Sequence, residues 1–286
     1  MTPSINDGSS HAPRIAVYGT AWGLLELPRG PGPQWTFEQC LDQLAAAGFD
    51  GCQAGIGHGE TVRARGLRFA ASGRANTAAE VLHETARAAD DGADALTLHL
   101  GWGMESEKEA DALIEAVLTA TDRHSIPVLP ETHRATVLQD VWRTCGIIAR
   151  FPDLRFNGDF SHYYCGQEMV YRGFAATRDD LRPILARTAF IHARVSDGQR
   201  MQCDLADPAS APHLENFKWL WRESFTAWKT TARPGDLLPF CPELGPPSSS
   251  YSISTPGPGG TRIEHADRWS DTLMLKAVAA TLADQP

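Results

Sequence analysis

Residues 94–131 read DALTLHL (94–100), GWGME (101–105), SEKEADALIEAVLTATDRH (106–124), SI (125–126) and PVLPE (127–131). Two β-branched, apolar runs flank one amphipathic segment. Ala110, Leu113, Ile114, Val117 and Leu118 recur at helical spacing in that segment and define a single apolar face. A strand, a covering helix and a second strand form a unit that must run parallel.

The same alternation extends in both directions. Further strand-like runs are RIAVYG (14–19), DGCQAG (50–55), LRFAAS (67–72), LRFNGD (154–159), AFIHARV (189–195) and LLPFCPE (237–243), making eight in all. Between them, 36–48 opens on Thr36 with Glu38 in its first turn and closes at Gly48. The segment 76–92 runs from Asn76 to Gly92 in the same manner. Helical patterns are also expected at about 134–150, 179–187, 212–229 and 263–283, and none is legible over 56–66. Eight repeats in a chain of this length predict a single (β/α)8 barrel over 13–286, a fold of about 250 residues; a doubly wound open sheet is the alternative. The small, polar residues 1–12 are expected to form a flexible N-terminal tail.

The chain has 286 residues, 42% hydrophobic, with a formal net charge of −9. An acidic balance disfavours nucleic-acid partners, which need clustered Lys and Arg. No apolar stretch is long enough for a membrane span. The six cysteines are scattered without CxxC spacing, so neither a zinc knuckle nor a disulfide framework is expected, and a cytoplasmic location is the simplest reading.

Helix-to-strand connections are short, whereas 160–178, 196–211 and 244–262 are long. Long loops after strands mark the face on which barrel active sites are built. At that face, four consecutive runs carry a metal-capable side chain: Glu131 in VLPE, Asp159 in FNGD, His192 in FIHAR and Glu243 in FCPE. Pro130 and Pro242 precede the two glutamates, and proline belongs where a strand ladder ends. Three carboxylates and an imidazole suit one divalent ion, for which Mn²⁺, Mg²⁺, Co²⁺ and Zn²⁺ are all candidates. His99 and His133 are expected near the same mouth, with Trp22, Trp102 and Tyr163 as candidate apolar walls. The Pro/Gly/Ser-rich stretch 245–260 reads either as a surface loop or as a lid.

The motifs VLPETH, GDFSH, IHARVSDG and CPELG resemble the strand-end motifs of the xylose isomerase-like TIM barrels (sugar phosphate isomerases and epimerases, with dehydratases and endonuclease IV in the same superfamily). The resemblance implies a metal held by Glu131, Asp159, His192 and Glu243. It also implies that Glu131 and Glu243 exchange protons with a carbon next to a carbonyl, and that His162 of the D-x-x-H pair approaches substrate oxygens. His99, Trp102, His133, Arg194 and Arg200 are the expected substrate-binding residues. Two features depart from the epimerase pattern. Gln53 stands where a glutamate is usual, and neither Arg194 nor Arg200 has the usual spacing from His192. The expected substrate is a small carbohydrate, and a homo-oligomer is compatible with the resemblance. The expected reaction is metal-dependent isomerisation or epimerisation through an enediolate. The alternatives are β-elimination by a lyase, an AP endonuclease, or a metal-binding module without catalysis.

Overall fold

The computed structural model describes residues 3–30 and 32–284. Eight parallel strands are present: β1 (Arg14–Thr20), β2 (Gly51–Gly55), β3 (Arg68–Ala75), β4 (Ala95–Leu100), β5 (Val128–Pro130), β6 (Phe156–Gly158), β7 (Thr188–Ala193) and β8 (Leu237–Pro242). They pair in the order β5-β4-β3-β2-β1-β8-β7-β6. The remaining seam, between β5 and β6, is joined by a parallel bridge of Glu131 with Asn157 and by the Thr132 N–H donating to the Asn157 carbonyl at 3.0 Å. The chain is therefore a single (β/α)8 barrel, not an open sheet.

The covering helices are α1 (Phe37–Ala46), α2 (Gly59–Arg63), α3 (Ala78–Asp90), α4 (Glu107–His124), α5 (Val141–Arg150), α6 (Ser161–Gly166), α7 (Met169–Arg172), α8 (Arg178–Leu185), α9 (Ala211–Lys229) and α10 (Arg268–Ala283). Helices α1, α3 and α4 each begin with a reciprocal capping box: Thr36 with Gln39, Thr77 with Glu80, and Ser106 with Glu109. The second of these starts one residue later than expected, because Glu80 reaches back to the N–H groups of both Asn76 and Thr77. Helix α1 ends at Gly48, whose φ of +69° is the left-handed conformation of a C′ glycine.

The short helix α2 fills the stretch where no helix was expected. Tertiary contacts set its place: Asp91 accepts from Gly57 and Gly59, and Arg63 donates to the Asp91 carbonyl. A Cβ on Gly59 would stand 2.2 Å from that carbonyl, so the approach requires glycine. Helix α5 is shorter than the expected 134–150. Ala135 adopts a φ of +52°, and Asp140 caps the helix by accepting from Arg143, so 132–139 becomes a loop over the barrel mouth.

Residues 3–12, expected as a flexible tail, lie against the opposite end of the barrel; Met1 and Thr2 are outside the described residues. Ile5 is buried, its carbonyl accepts from Leu237, and Asn6 bridges to Asp236. Ile5 joins Ala16, Tyr18, Leu129 and Phe190 in a small apolar cluster, separate from the larger core beneath the helices. That cluster packs the N-terminal half of the barrel interior and leaves the polar side chains to the C-terminal end. The 245–260 stretch continues into an antiparallel hairpin, β9 (Ser254–Pro256) and β10 (Arg262–Glu264). No helix among the described residues is long and apolar enough to cross a membrane.

Candidate metal centre and active site

Pro130 and Pro242 are the last residues of β5 and β8, so Glu131 and Glu243 project at the ends of their ladders. The Glu131 N–H is still anchored by the Leu98 carbonyl at 2.9 Å. Asp159 follows β6, and His192 lies one residue before the end of β7. Each of the four offers a ligand atom within 4.8 Å of the others, and all four are buried.

Several polar atoms of this cluster are buried without a hydrogen-bond partner: Glu131 Oε1, Asp159 Oδ2, Arg194 Nη1 and both nitrogens of His162. Buried polar groups are ordinarily satisfied, and a bound ion is one of the few partners that would satisfy such a concentration. The donor set, three carboxylate groups and one imidazole, is that of a divalent cation. The residues thus fit a divalent metal ion.

Electrostatics explains why the cluster needs positive charge. Two carboxylates about 4 Å apart repel by roughly 4 kcal/mol at an effective dielectric constant of 20. Two side chains of this protein offset that repulsion. Arg194 Nη2 bonds Glu243 Oε2 at 2.5 Å, its Nε bonds the Glu243 carbonyl at 2.9 Å, and Nη1 lies 3.5 Å from Asp159 Oδ2. His192 Nδ1 lies 3.0 Å from Glu243 Oε2 and 3.4 Å from Glu131 Oε2. Burial opposes the imidazolium, but Glu243 and Glu131 outweigh it and raise His192 to about 10. Burial raises Glu131 and Glu243, yet their neighbours hold both carboxyls below the usual range: His192 and His99 for Glu131, Arg194 and His192 for Glu243. Asp159 goes the other way. Burial pushes it up to about 6, Glu243 and Glu131 push in the same direction, and Arg194 opposes.

The His192 ring is oriented from behind. Its Nε2 donates to Gln53 Oε1 at 2.8 Å, and the Gln53 amide donates to Thr97 at 2.6 Å. That chain directs Nδ1 at the carboxylates, the usual way in which a ligand histidine is set. Gln53, the middle residue of β2, thus takes part in the site as an orienting residue; its place where the resemblance expects a glutamate was the available sequence signal.

Beside the cluster opens a cavity of about 230 Å³. Glu131, His192, Glu243, His99, Gln53, Thr97, Ser72 and Arg74 line it, with Trp22 as an aromatic wall. His99 Nε2 stands 3.2 Å from Glu131 Oε2, and Arg74 lies 3.3 Å from His99 Nδ1. Arg74 was missed in the sequence because it falls beyond the expected end of its strand.

The other expected residues are distributed around this cavity. His133 stacks between His99 and His162, with ring centroids 4.1 and 3.8 Å away, and burial lowers it to about 4. His162 is fully buried behind His133, 3.5 Å from Asp159, and does not line the cavity; burial and then His133 hold its pKa well below the usual histidine value. His99, Glu131 and His133 form a second close set of ligand-capable groups that shares Glu131. Arg194 sits beneath Tyr251, 4.2 Å from the ring centroid, and Tyr251 Oη is 3.3 Å from His133 Nε2. Trp102 is about half exposed and stacks on Arg74 outside the cavity, while Tyr163 is a core residue bonded to Leu138. Arg200 is exposed and lines a separate pocket at the mouth.

No protein-family model matches the chain, and no curated protein matches it. Solved structures do. A xylose isomerase-like TIM barrel protein from Mycobacterium smegmatis, in complex with magnesium, superposes with a TM-score of 0.57 at 15% identity, over 96% of this chain and 98% of that one. The shared architecture is the (β/α)8 TIM barrel. A sugar phosphate isomerase/epimerase from Parabacteroides distasonis gives 0.55 at 12% identity, over 99% of each chain. The probable 3-DHS dehydratase AsbF from Bacillus anthracis gives 0.56 at 12% identity, over 95% of this chain and all of that one. These likenesses concern fold.

Proposed function

We propose that the protein is a divalent-metal-dependent isomerase or epimerase acting on a small sugar or keto-sugar. The observation that carries this reading is the cavity itself. It is small, lined mainly by polar residues, and has Glu131 and Glu243 on its wall beside the ligand-capable His192. Glu131, Asp159, His192 and Glu243 would hold the ion, with Mn²⁺ the preferred candidate and Mg²⁺, Co²⁺ or Zn²⁺ as alternatives. When bound, the ion would supply positive charge to the oxygens of a substrate as an enediolate forms.

The chain's own groups would do the rest. Glu131, on the cavity wall, would also take a proton from the carbon next to a carbonyl. Glu243 and Glu131 come from non-adjacent strands and would address the substrate from two sides. His99 and Arg74 would bind substrate hydroxyls, and Trp22 would cover an apolar ring face.

A second reading, β-elimination, draws on His99. It is paired with Glu131 on the cavity wall, where it could protonate a departing hydroxyl. Incubation of a panel of sugars and 3-keto-glycosides in deuterium oxide with Mn²⁺ tests both. Deuterium at the carbon next to the carbonyl in an isomerised product supports the first, and an unsaturated product selects the second. Glu131→Gln should reduce either turnover by at least about a hundredfold. Unchanged turnover in that variant, or no exchange with any carbonyl substrate, would refute the enolisation reading.

A further inference from the structure

A second pocket, of about 340 Å³, lies on the far side of Tyr251 at the barrel mouth. Three arginines line it, each from a different part of the chain. Arg134 comes from the loop after β5, Arg200 from the loop after β7, and Arg262 from the start of β10. The whole chain carries a net charge of −9, so three guanidinium groups around one small pocket are not a reflection of its composition. Like charges gathered in this way repel one another, and an anion relieves that repulsion.

Few local anions answer these cations. The Arg134 guanidinium makes no hydrogen bond or ion pair among the described residues, and its partner is the ring of Tyr251 at 5.3 Å. Arg200 has one distant carboxylate, Asp197, at 3.9 Å. Among the described residues Arg262 donates only to Ser254, at 2.7 and 3.1 Å through one edge of its guanidinium. Ser250 and Ser254 add hydroxyls to the lining. Ala135, directly after Arg134, holds a φ of +52°, a strained conformation for a residue with a side chain. That turn brings Arg134 back over Tyr251.

We propose that this pocket binds a phosphate or phosphomonoester group. A tetrahedral dianion accepts the forked N–H groups of several arginines at once, and among the described residues no carboxylate lines the pocket. The pocket adjoins the metal cluster through a single side chain. Tyr251 has Arg134 on its ring at 5.3 Å and Arg194 at 4.2 Å, and its hydroxyl meets His133. An anion here would be either the phosphate of the substrate itself or a free phosphate bound next to the reaction site.

Calorimetric titration of inorganic phosphate into the full chain tests this, with the protein as purified and again in EDTA. The EDTA arm separates the arginines from a metal ion as the binding site. Binding should persist in EDTA and weaken steeply with added salt. Arg134→Gln and Arg262→Gln should each weaken it by at least about tenfold, and together abolish it, with unchanged far-UV circular dichroism. Absence of binding in EDTA, or equal binding by the double variant, would overturn the proposal. The two sources are then distinguished by kinetics. Competition by phosphate, with a KM raised in the variants only for the phosphorylated sugar, identifies the substrate's own group; non-competitive behaviour identifies a free anion. This last comparison rests on the enolisation reading, whereas the titration does not, so the two can fail separately.

Discussion

Replacement of Arg194 by methionine should separate the charge balance of the cluster from its geometry. Methionine keeps an unbranched apolar stem beneath Tyr251 but removes the guanidinium that bonds the Glu243 carboxylate and carbonyl and neighbours Asp159. In metal-free protein the three carboxylates would then be offset by His192, with His99 beside Glu131. Removing one partner of a buried ion pair costs roughly 3–5 kcal/mol. For a chain of this size, each kcal/mol corresponds to roughly 2–3 °C in Tm, so the variant should melt roughly 6–15 °C below wild type in EDTA. A bound divalent ion restores positive charge at the same carboxylates. Saturating Mg²⁺ or Mn²⁺ should therefore raise the Tm of the variant by more than that of wild type and close at least half of the gap. Differential scanning calorimetry with and without EDTA gives all four values. If the variant melts within about 2 °C of wild type in EDTA, or if the metal raises both proteins equally, the account of Arg194 as the counter-charge of the metal cluster is wrong.

Three other outcomes follow from the same geometry. Gln53→Met takes the acceptor away from His192 Nε2 and should weaken metal binding by roughly 10–100-fold, read by competition with a chromophoric chelator; an unchanged Kd would show that Gln53 does not orient the ring. Metal binding requires a neutral His192, raised to about 10, and an ionised Asp159, raised to about 6. Titrations at pH 8 in buffers of different ionisation enthalpy should therefore show close to one proton released per ion, rising towards two as the pH falls below 6; no release at pH 8 would contradict the protonated His192. Away from the site, burial raises Asp271 to about 7, although its carboxylate accepts from the Leu205 N–H. A carboxyl whose folded pKa lies above its unfolded value favours the native state when protonated, and that contribution is lost as pH rises from about 4 to 7. Asp271→Asn should thus raise Tm at pH 8 and lose its advantage near pH 4; a pH-independent difference in melting temperature would count against this assignment.

The barrel was legible because its signals are local and repeated. The periodicity of 106–124, the capping residues Thr36 and Ser106, and the prolines before Glu131 and Glu243 act within a few residues of themselves. The four ligand-capable positions followed from those strand ends. Helix α2 and the short start of α5 were not legible, because contacts with Asp91 and the turn at Ala135 decide them. The N-terminal segment was misread for a related reason. MTPSINDGSSHA has a tail's composition, yet its single Ile5 completes the apolar packing at the base of the barrel.

By itself, then, the sequence determined the (β/α)8 architecture, the face that bears the long loops, and the identity of four ligand-capable side chains. Only tertiary structure decided what surrounds them: Gln53 behind His192, Arg194 against Glu243, His162 shielded by His133, and Arg200 in a pocket with Arg134 and Arg262. The physical reason is one of range. Periodicity, capping and strand termination are written within single elements. Hydrogen-bond partners, charge balance and cavity walls arise where loops from distant elements meet, and residue spacing along the chain does not encode those distances.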